Sequence, residues 1–443
     1  MAKDGRTLSL HLHAPDHAPA GAPVEALAGT AAGLALTAEE AALHVALPER
    51  SLTERRWIVE RLVRNVGKLA PATRAELYAA TGVDDDTALT FALDLRRRFD
   101  DVVVHGRDQV AAETARVGAL EGGFRAWVDE DPATRTSLAI ARDVTAWAGA
   151  RDDVHTEVLT EDELGERGLR LLLAVGQGSP ASPSRLVIAR YTPDGNSDAP
   201  LMLLGKGVTF DSGGINVKPY ESFVSMMKND MAGAALAFHL FKGLVENGYD
   251  RPLLLVLPTC ENAIGAKSMR PGALVKSYRG HVVRVDHTDA EGRLILADAL
   301  AYATDTYAPS KVICFATLTT AALIAYGPYA TPVHFADAEL EARLRVASER
   351  TGEDLHFFPR REWHFEANRD EEADLRNTAR LPGKAIRGAG SRNAGHFLLH
   401  FTDRPLVHFD IFASTWNWAG DAPGGCSGAT GAPLRPLLIG DAL

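Results

Sequence analysis

Apolar positions along this chain change their period about a third of the way through. The stretch LTERRWIVERLVRNVGKL (52–69) reads as an amphipathic helix, with Trp57, Leu62 and Val63 among its apolar positions. ATRAELYAATG reads as a second helix, and DDVVVHG (100–106) as a short strand. A helical stretch over 134–149 leads into TEDELGERG, where Thr160 and Glu163 have capping-box spacing. Beyond it come compact apolar runs of strand length: LRLLLAV (169–175), SRLVIARY (184–191), LMLLGKG (201–207), PLLLVLP (252–258), VVRVD (282–286), KVICFATL (311–318) and LVHFDIF (406–412). Between many of them lie helical runs: DMAGAALAFHLFKGLVENG, GRLILADALAYAT and DAELEARLRVASER. Strands interleaved with helices of this length indicate an α/β domain, its mostly parallel central sheet flanked by helices. A smaller α/β domain precedes it. We place the boundary near 130, giving an N-terminal domain (1–130) and a larger C-terminal domain (131–443).

Length and composition agree with two domains. The chain has 443 residues, 46% hydrophobic and 24% charged, which is an ordinary globular balance. Its 47 basic and 58 acidic side chains leave a net charge of −11. That excess argues against a general nucleic-acid or membrane-surface binder, since phosphate contacts need a basic face. Cys260, Cys314 and Cys426 are few and far apart, so neither a disulfide framework nor a cysteine zinc site follows. With no apolar leader and no ~20-residue apolar run, the expectation is a cytoplasmic protein with no membrane partner.

Three clusters concentrate unusual polar residues where strands end. GKGVTFDSGGINVKP (205–219) holds Lys206, Asp211 and Lys218; MMKNDMAGAA (226–235) holds Asp230; HTDAEGRLILADAL (287–300) holds Asp289, Glu291 and Arg293. Each has a plain alternative. Asp230 can cap a helix, Asp289 and Glu291 can sit at a helix's positive end, and the lysines can be solvated. Jointly they differ, because four convergent carboxylates would repel one another and lose hydration. Divalent metal relieves both costs, and hard oxygen ligands suit Zn²⁺, Mn²⁺ or Mg²⁺. Two shared carboxylates would permit a two-metal centre that activates water and polarises a carbonyl or phosphoryl oxygen.

GKGVTFDSGG, MKNDMAGAA and TDAEGRLILADAL closely resemble the signatures of the leucyl (cytosol) aminopeptidases, and the likeness runs from about residue 168 to the C-terminus. It takes in ENAIGAKSMRPGALVKS (261–277), ATLTTA (316–321) and DLRNTAR…GAGSRNAGHFLLHF (374–401), and part of it resembles the peptidase B branch. The resemblance implies two divalent ions per chain, Mn²⁺ or Zn²⁺. Lys206, Asp211, Asp230 and Glu291 would hold a tight ion; Asp211, Asp289 and Glu291 would hold an exchangeable one. It further implies that Lys218 holds the scissile carbonyl oxygen and that Arg293 anchors a proton-shuttling bicarbonate. Met227, Thr317, Leu318 and Thr320 would line the substrate pocket. Peptide substrates and a homohexamer are implied too, with 131–443 as the two-metal aminopeptidase catalytic domain and 1–130 serving assembly or access.

Three departures from the family pattern stand out. His287 replaces an Asn just before TDAEGR; it is a partner of a ligand, a perturbed ligand or a tolerated substitute, with the first favoured. Thr320 replaces a glycine near the expected cleft. AIARDVTAWAGARDD (139–153) takes the place of an Asn-Thr-Pro-type segment. Two other readings compete: a regulatory or DNA-binding role, disfavoured by the net charge, and a metal-holding fold that has lost peptidase activity through Thr320 and His287. His11, His13 and His17, spaced by Pro and Ala, suggest either a metal tract or an exposed flexible segment, the second favoured. No H-E-x-x-H, G-x-S-x-G or P-loop pattern occurs.

Overall fold

The structure is a computed structural model that describes residues 6–13, 22–23, 32–36, 40–69, 72–379, 389–418, 428–439 and 443. His17 and Cys426 lie outside them. The chain forms two compact units, one of residues Met1–Gly122, Ala342–Asp354 and Asn417–Leu443, the other of Gly123–Glu341 and Leu355–Trp416.

In the first unit, six strands follow the order Ala22–Pro23, Ala32–Leu36, Glu40–Ala46, Arg6–His13, Ala72–Ala79, Asp101–His105. The four from Glu40–Ala46 to Asp101–His105 are mutually parallel. Alternation along them turns Leu8, Leu10, Leu12, Leu43, Val45 and Leu77 into one core. Helix Leu52–Leu69 adds Ile58, Val59, Leu62 and Val63, and helix Asp85–Arg96 adds Phe91 and Leu95. The helix expected in ATRAELYAATG is instead the strand Ala72–Ala79. Its alanines and glutamate favour a helix, but pairing on both edges and period-two burial of Ala75 and Leu77 override that preference.

The second unit is built on a longer sheet, ordered Asp354–Phe358, Ala330–His334, Leu406–Asp410, Lys311–Ala316, Leu201–Gly205, Leu253–Asn262, Arg185–Tyr191, Val154–Leu159, with Gly207–Asp211 pairing beside Leu253–Asn262. Its centre is parallel, from Leu406–Asp410 to Leu253–Asn262, and its margins are antiparallel. The central strands are buried along their length, Lys311 at a strand start excepted, as expected of strands covered on both faces. Helices Ala232–Glu246 and Gly292–Tyr307 pack on this sheet. LRLLLAV, read as a strand, is the helix Arg170–Gly176. A short apolar run has no period to decide between the two. Here Asp298, on the helix Gly292–Tyr307, accepts the Leu171 N–H at 2.6 Å and fixes the start of a helical turn. Thr160 and Glu163 form the expected capping box.

Candidate metal centre

Parallel strands ending side by side bring their carboxyl ends, and the residues just beyond them, to one edge of the sheet. Lys206 follows the strand Leu201–Gly205, Asp211 and Asn262 end the strands Gly207–Asp211 and Leu253–Asn262, and Thr317 follows Lys311–Ala316. Asp230 comes from the 3₁₀ turn Val224–Met231, and Glu291 immediately precedes the helix Gly292–Tyr307. Asp211, Asp230 and Glu291 are buried, and each offers a carboxylate oxygen within 4.8 Å of the others.

Lys206 Nζ lies 2.8 Å from Asp230 Oδ1 and 2.8 Å from Glu291 Oε1, and it donates to the Thr317 carbonyl at 3.0 Å. Lys218 Nζ sits 2.7 Å from Asp211 Oδ2 and also contacts Asp289 Oδ1. Backbone must come close for this to work. A Cβ on Gly292 would fall 2.7 Å from Lys206 Nζ. At Gly213, with φ +87°, a Cβ would meet the Asn216 carbonyl at 2.6 Å and Asp289 at 3.1 Å.

Charge inside the cluster is unbalanced: four carboxylates face two ammonium groups. Burial and the neighbouring Glu291 push Asp211 up to about 7, and burial also raises Asp230 and Asp289. Burial works against Glu291 too, yet Lys206 and Lys218 bring it down to about 2. Both lysines lose hydration but are held above the ordinary lysine range by the surrounding acids. Asp230 Oδ2 and Glu291 Oε2 are buried with no hydrogen-bond partner. Oxygen donors left without protons to accept, among acids driven toward their neutral forms, fit divalent cations. A bound dication would stabilise the carboxylates and favour the free amine of Lys206.

Arg293 is buried, donates through one terminal nitrogen to the Asn377 carbonyl at 2.7 Å, and has no partner at Nε. Burial lowers its pKa to about 10. Thr317 Oγ1 donates to Asp230 Oδ1 at 2.9 Å, Met227 is buried, and Leu318 is half-buried. Thr320 is exposed at the start of the helix Thr320–Tyr326. His287 is exposed, and its Nδ1 accepts the Asp289 backbone N–H at 3.3 Å, which makes it a partner of the Asp289 loop.

Several supporting residues carried no sequence assignment. Asn262 donates to Asp211 Oδ1 at 2.7 Å. Asn377, fully buried, accepts the Asp286 N–H at 2.8 Å and donates to the His287 carbonyl at 2.7 Å, fixing the loop that carries Asp289. Thr288 Oγ1 donates to the Gly213 carbonyl at 2.6 Å and so ties that loop to the Lys218 loop. Asp410 accepts the Thr319 hydroxyl at 2.7 Å and the Leu318 N–H at 3.2 Å. Asn377 stands inside DLRNTAR, a segment quoted for its resemblance, but an asparagine alone carries no chemical signature.

Residues 124–438 match the catalytic domain of the cytosol aminopeptidase family. A probable cytosol aminopeptidase of Cenarchaeum symbiosum is 39% identical over 281 residues, covering 63% of this chain and 56% of that protein. One from Desulfovibrio desulfuricans is 39% identical over 262 residues, covering 58% of this chain and 51% of its own length. The chain therefore matches about half the length of these curated relatives. Among solved structures, the bottromycin maturation enzyme BotP is similar with a TM-score of 0.81 and 28% identity, over 98% of each chain. BotP in complex with Mn gives 0.80 and 28%, over 97% of this chain and 98% of that one.

Proposed function

The chain belongs to the cytosol aminopeptidase family, and from that premise we propose that it is a metal-dependent aminopeptidase releasing the N-terminal residue of peptides. The observation that carries this reading is the buried trio Asp211, Asp230 and Glu291, with its unpartnered oxygens and the Lys206 amine between two of them. Lys206, Asp211, Asp230 and Glu291 would hold the tighter ion, and Asp211, Asp289 and Glu291 the exchangeable one. Two such ions, Mn²⁺ or Zn²⁺, would supply an activated water and a Lewis acid for the scissile carbonyl. Arg293, with its unpartnered Nε, would hold a bicarbonate able to shuttle a proton.

The chain's own groups then divide the work. Lys218, charged beside Asp211 and Asp289, would hold the carbonyl oxygen as negative charge develops on it. Asp230 supplies an anionic partner for the substrate's free α-amine, which restricts cleavage to chain ends. Met227, Thr317, Leu318 and Thr320 would shape the pocket for the first side chain. Cytoplasmic location and a homohexamer complete the proposal; no helix among the described residues is long and apolar enough to cross a membrane. The end-to-end likeness to a maturation enzyme adds biosynthetic precursors to the substrate classes worth assaying.

A panel of aminoacyl-p-nitroanilides with Mn²⁺ or Zn²⁺, paired with their N-acetylated forms, tests the reading. Hydrolysis of the free-amine substrates alone supports it. Equal hydrolysis of the blocked substrates, or of none, defeats it.

A further inference from the structure

We infer that the first unit carries a second, separate metal site: His13 and His44 form a two-imidazole site for a borderline transition-metal ion such as Ni²⁺, Cu²⁺ or Zn²⁺. Neighbouring strands place the two histidines together. Strand Arg6–His13 pairs in parallel with Glu40–Ala46, setting His11 beside His44, and with Ala72–Ala79, setting His11 beside Tyr78. Ala72–Ala79 in turn sets Tyr78 beside His105. Residues opposite one another share a face, so four rings form a row across four strands. Their centroids are 4.2, 4.5 and 4.2 Å apart, and adjacent planes differ by 14°, 5° and 2°. The alternate residues Leu8, Leu10, Leu12, Leu43 and Val45 face the core, so this row occupies the opposite side of the sheet.

His13 flanks the row, its ring 5.6 Å from that of His44 and inclined by 17°. His13 Nε2 and His44 Nδ1 are 3.3 Å apart. Two imidazole nitrogens bound to one tetrahedral ion at about 2.0–2.1 Å must lie about 3.4 Å apart, so the spacing suits a chelating pair once each ring turns in its own plane, from the end-to-end arrangement that the 5.6 Å centroid distance gives, to converge on the ion. The simpler reading is a hydrogen bond between neutral rings, one nitrogen carrying the proton. For metal to replace that bond each ring keeps its proton on the far nitrogen, a change of tautomer with no net proton loss. Stacking on His11 holds the plane of the His44 ring, so part of its ordering entropy is already lost before binding. Both residues are only half-buried, which leaves them within reach of an incoming ion. Imidazole donors select Ni²⁺, Cu²⁺ and Zn²⁺ over Mg²⁺ and Ca²⁺, unlike the oxygen-rich cluster of the second unit.

Retention of the untagged chain on a Ni²⁺-charged column and calorimetric titration with Ni²⁺ test this, neither depending on peptidase activity. Losing a group that only orients a ligand costs about 10–100-fold in metal affinity, so losing a ligand should cost roughly tenfold or more. Wild type should be retained and eluted by imidazole, and H13Q and H44Q should each lose most of that retention. H105Q keeps the pair intact and should be retained on the column as wild type is, as should E291A, whose defect lies in the other unit. With the catalytic ions excluded by E291A, Ni²⁺ should still raise the Tm by several degrees, and it should leave that of the double variant E291A/H44Q unmoved, which separates lost binding from lost folding. An unretained wild type, or retention that survives both H13Q and H44Q, overturns the site.

Discussion

Glu291 and Asp289 stand two residues apart, yet their surroundings assign them different burdens. Glu291 is buried, contacts Lys206, and belongs to the trio whose oxygens converge; the Asp289 side chain is 29% exposed and touches Lys218. Glu291→Ala should therefore abolish binding of both catalytic ions, whereas Asp289→Ala should weaken mainly the exchangeable one. Calorimetric titration with Mn²⁺ distinguishes the variants, and equal losses in both would refute the bridging assignment. Lys218→Ala should lower kcat by about 10²–10³ with ion binding retained, the usual cost of removing one donor to a developing oxyanion. A matching rise in KM at unchanged kcat would instead make Lys218 a ground-state contact. The charged members of this centre were legible in the sequence because four carboxylates, two lysines and an arginine among glycines form an unusual chemical set. Asn262, Asn377 and Asp410 were not, since each acts by orienting backbone or another side chain, a role that only three-dimensional placement reveals.

A sustained helical period was readable, as were short apolar runs where they are buried strands; elements fixed by their partners were not. The helix Leu52–Leu69 and the strands at the centre of the long sheet follow their hydrophobic patterns. Ala72–Ala79 and Arg170–Gly176 do not, because strand neighbours and Asp298 decide them. The same dependence on partners governs the loop after Val282–Arg284. Asn377 satisfies the Asp286 N–H and the His287 and Ala290 carbonyls, at 2.8, 2.7 and 3.2 Å. Asn377→Ala would leave those groups unsatisfied, at about 1–3 kcal/mol for each one that stays buried. We expect a lower Tm and weaker binding of the ion that Asp289 would share. A melting curve and a metal titration matching wild type would show that the loop holds itself.

For the whole molecule, histidine burial in the second unit sets a pH dependence of stability. Burial holds His239, His396 and His400 at about 4 and His408 at about 3, below the ordinary 6.5. These rings are neutral when folded and take up protons when unfolded. Their contribution is complete above pH 6.5 and declines as pH falls toward 4, by up to about 1.4 kcal/mol per pH unit for each ring. His408→Gln should flatten that decline by about one ring's share relative to wild type, whatever the metal content, in denaturant melts between pH 7 and 4.5. An unchanged slope would mean that His408 already binds a proton in the fold. The central claim, a two-ion aminopeptidase centre, is tested most directly by stripping the protein of metal and following peptide hydrolysis as Mn²⁺ or Zn²⁺ is returned, in wild type and in H44Q. Activity should be absent without metal and should reach its plateau at two equivalents per chain in H44Q, where the second-site contribution is removed. Full activity in the metal-free protein, or a plateau at one equivalent, would contradict it.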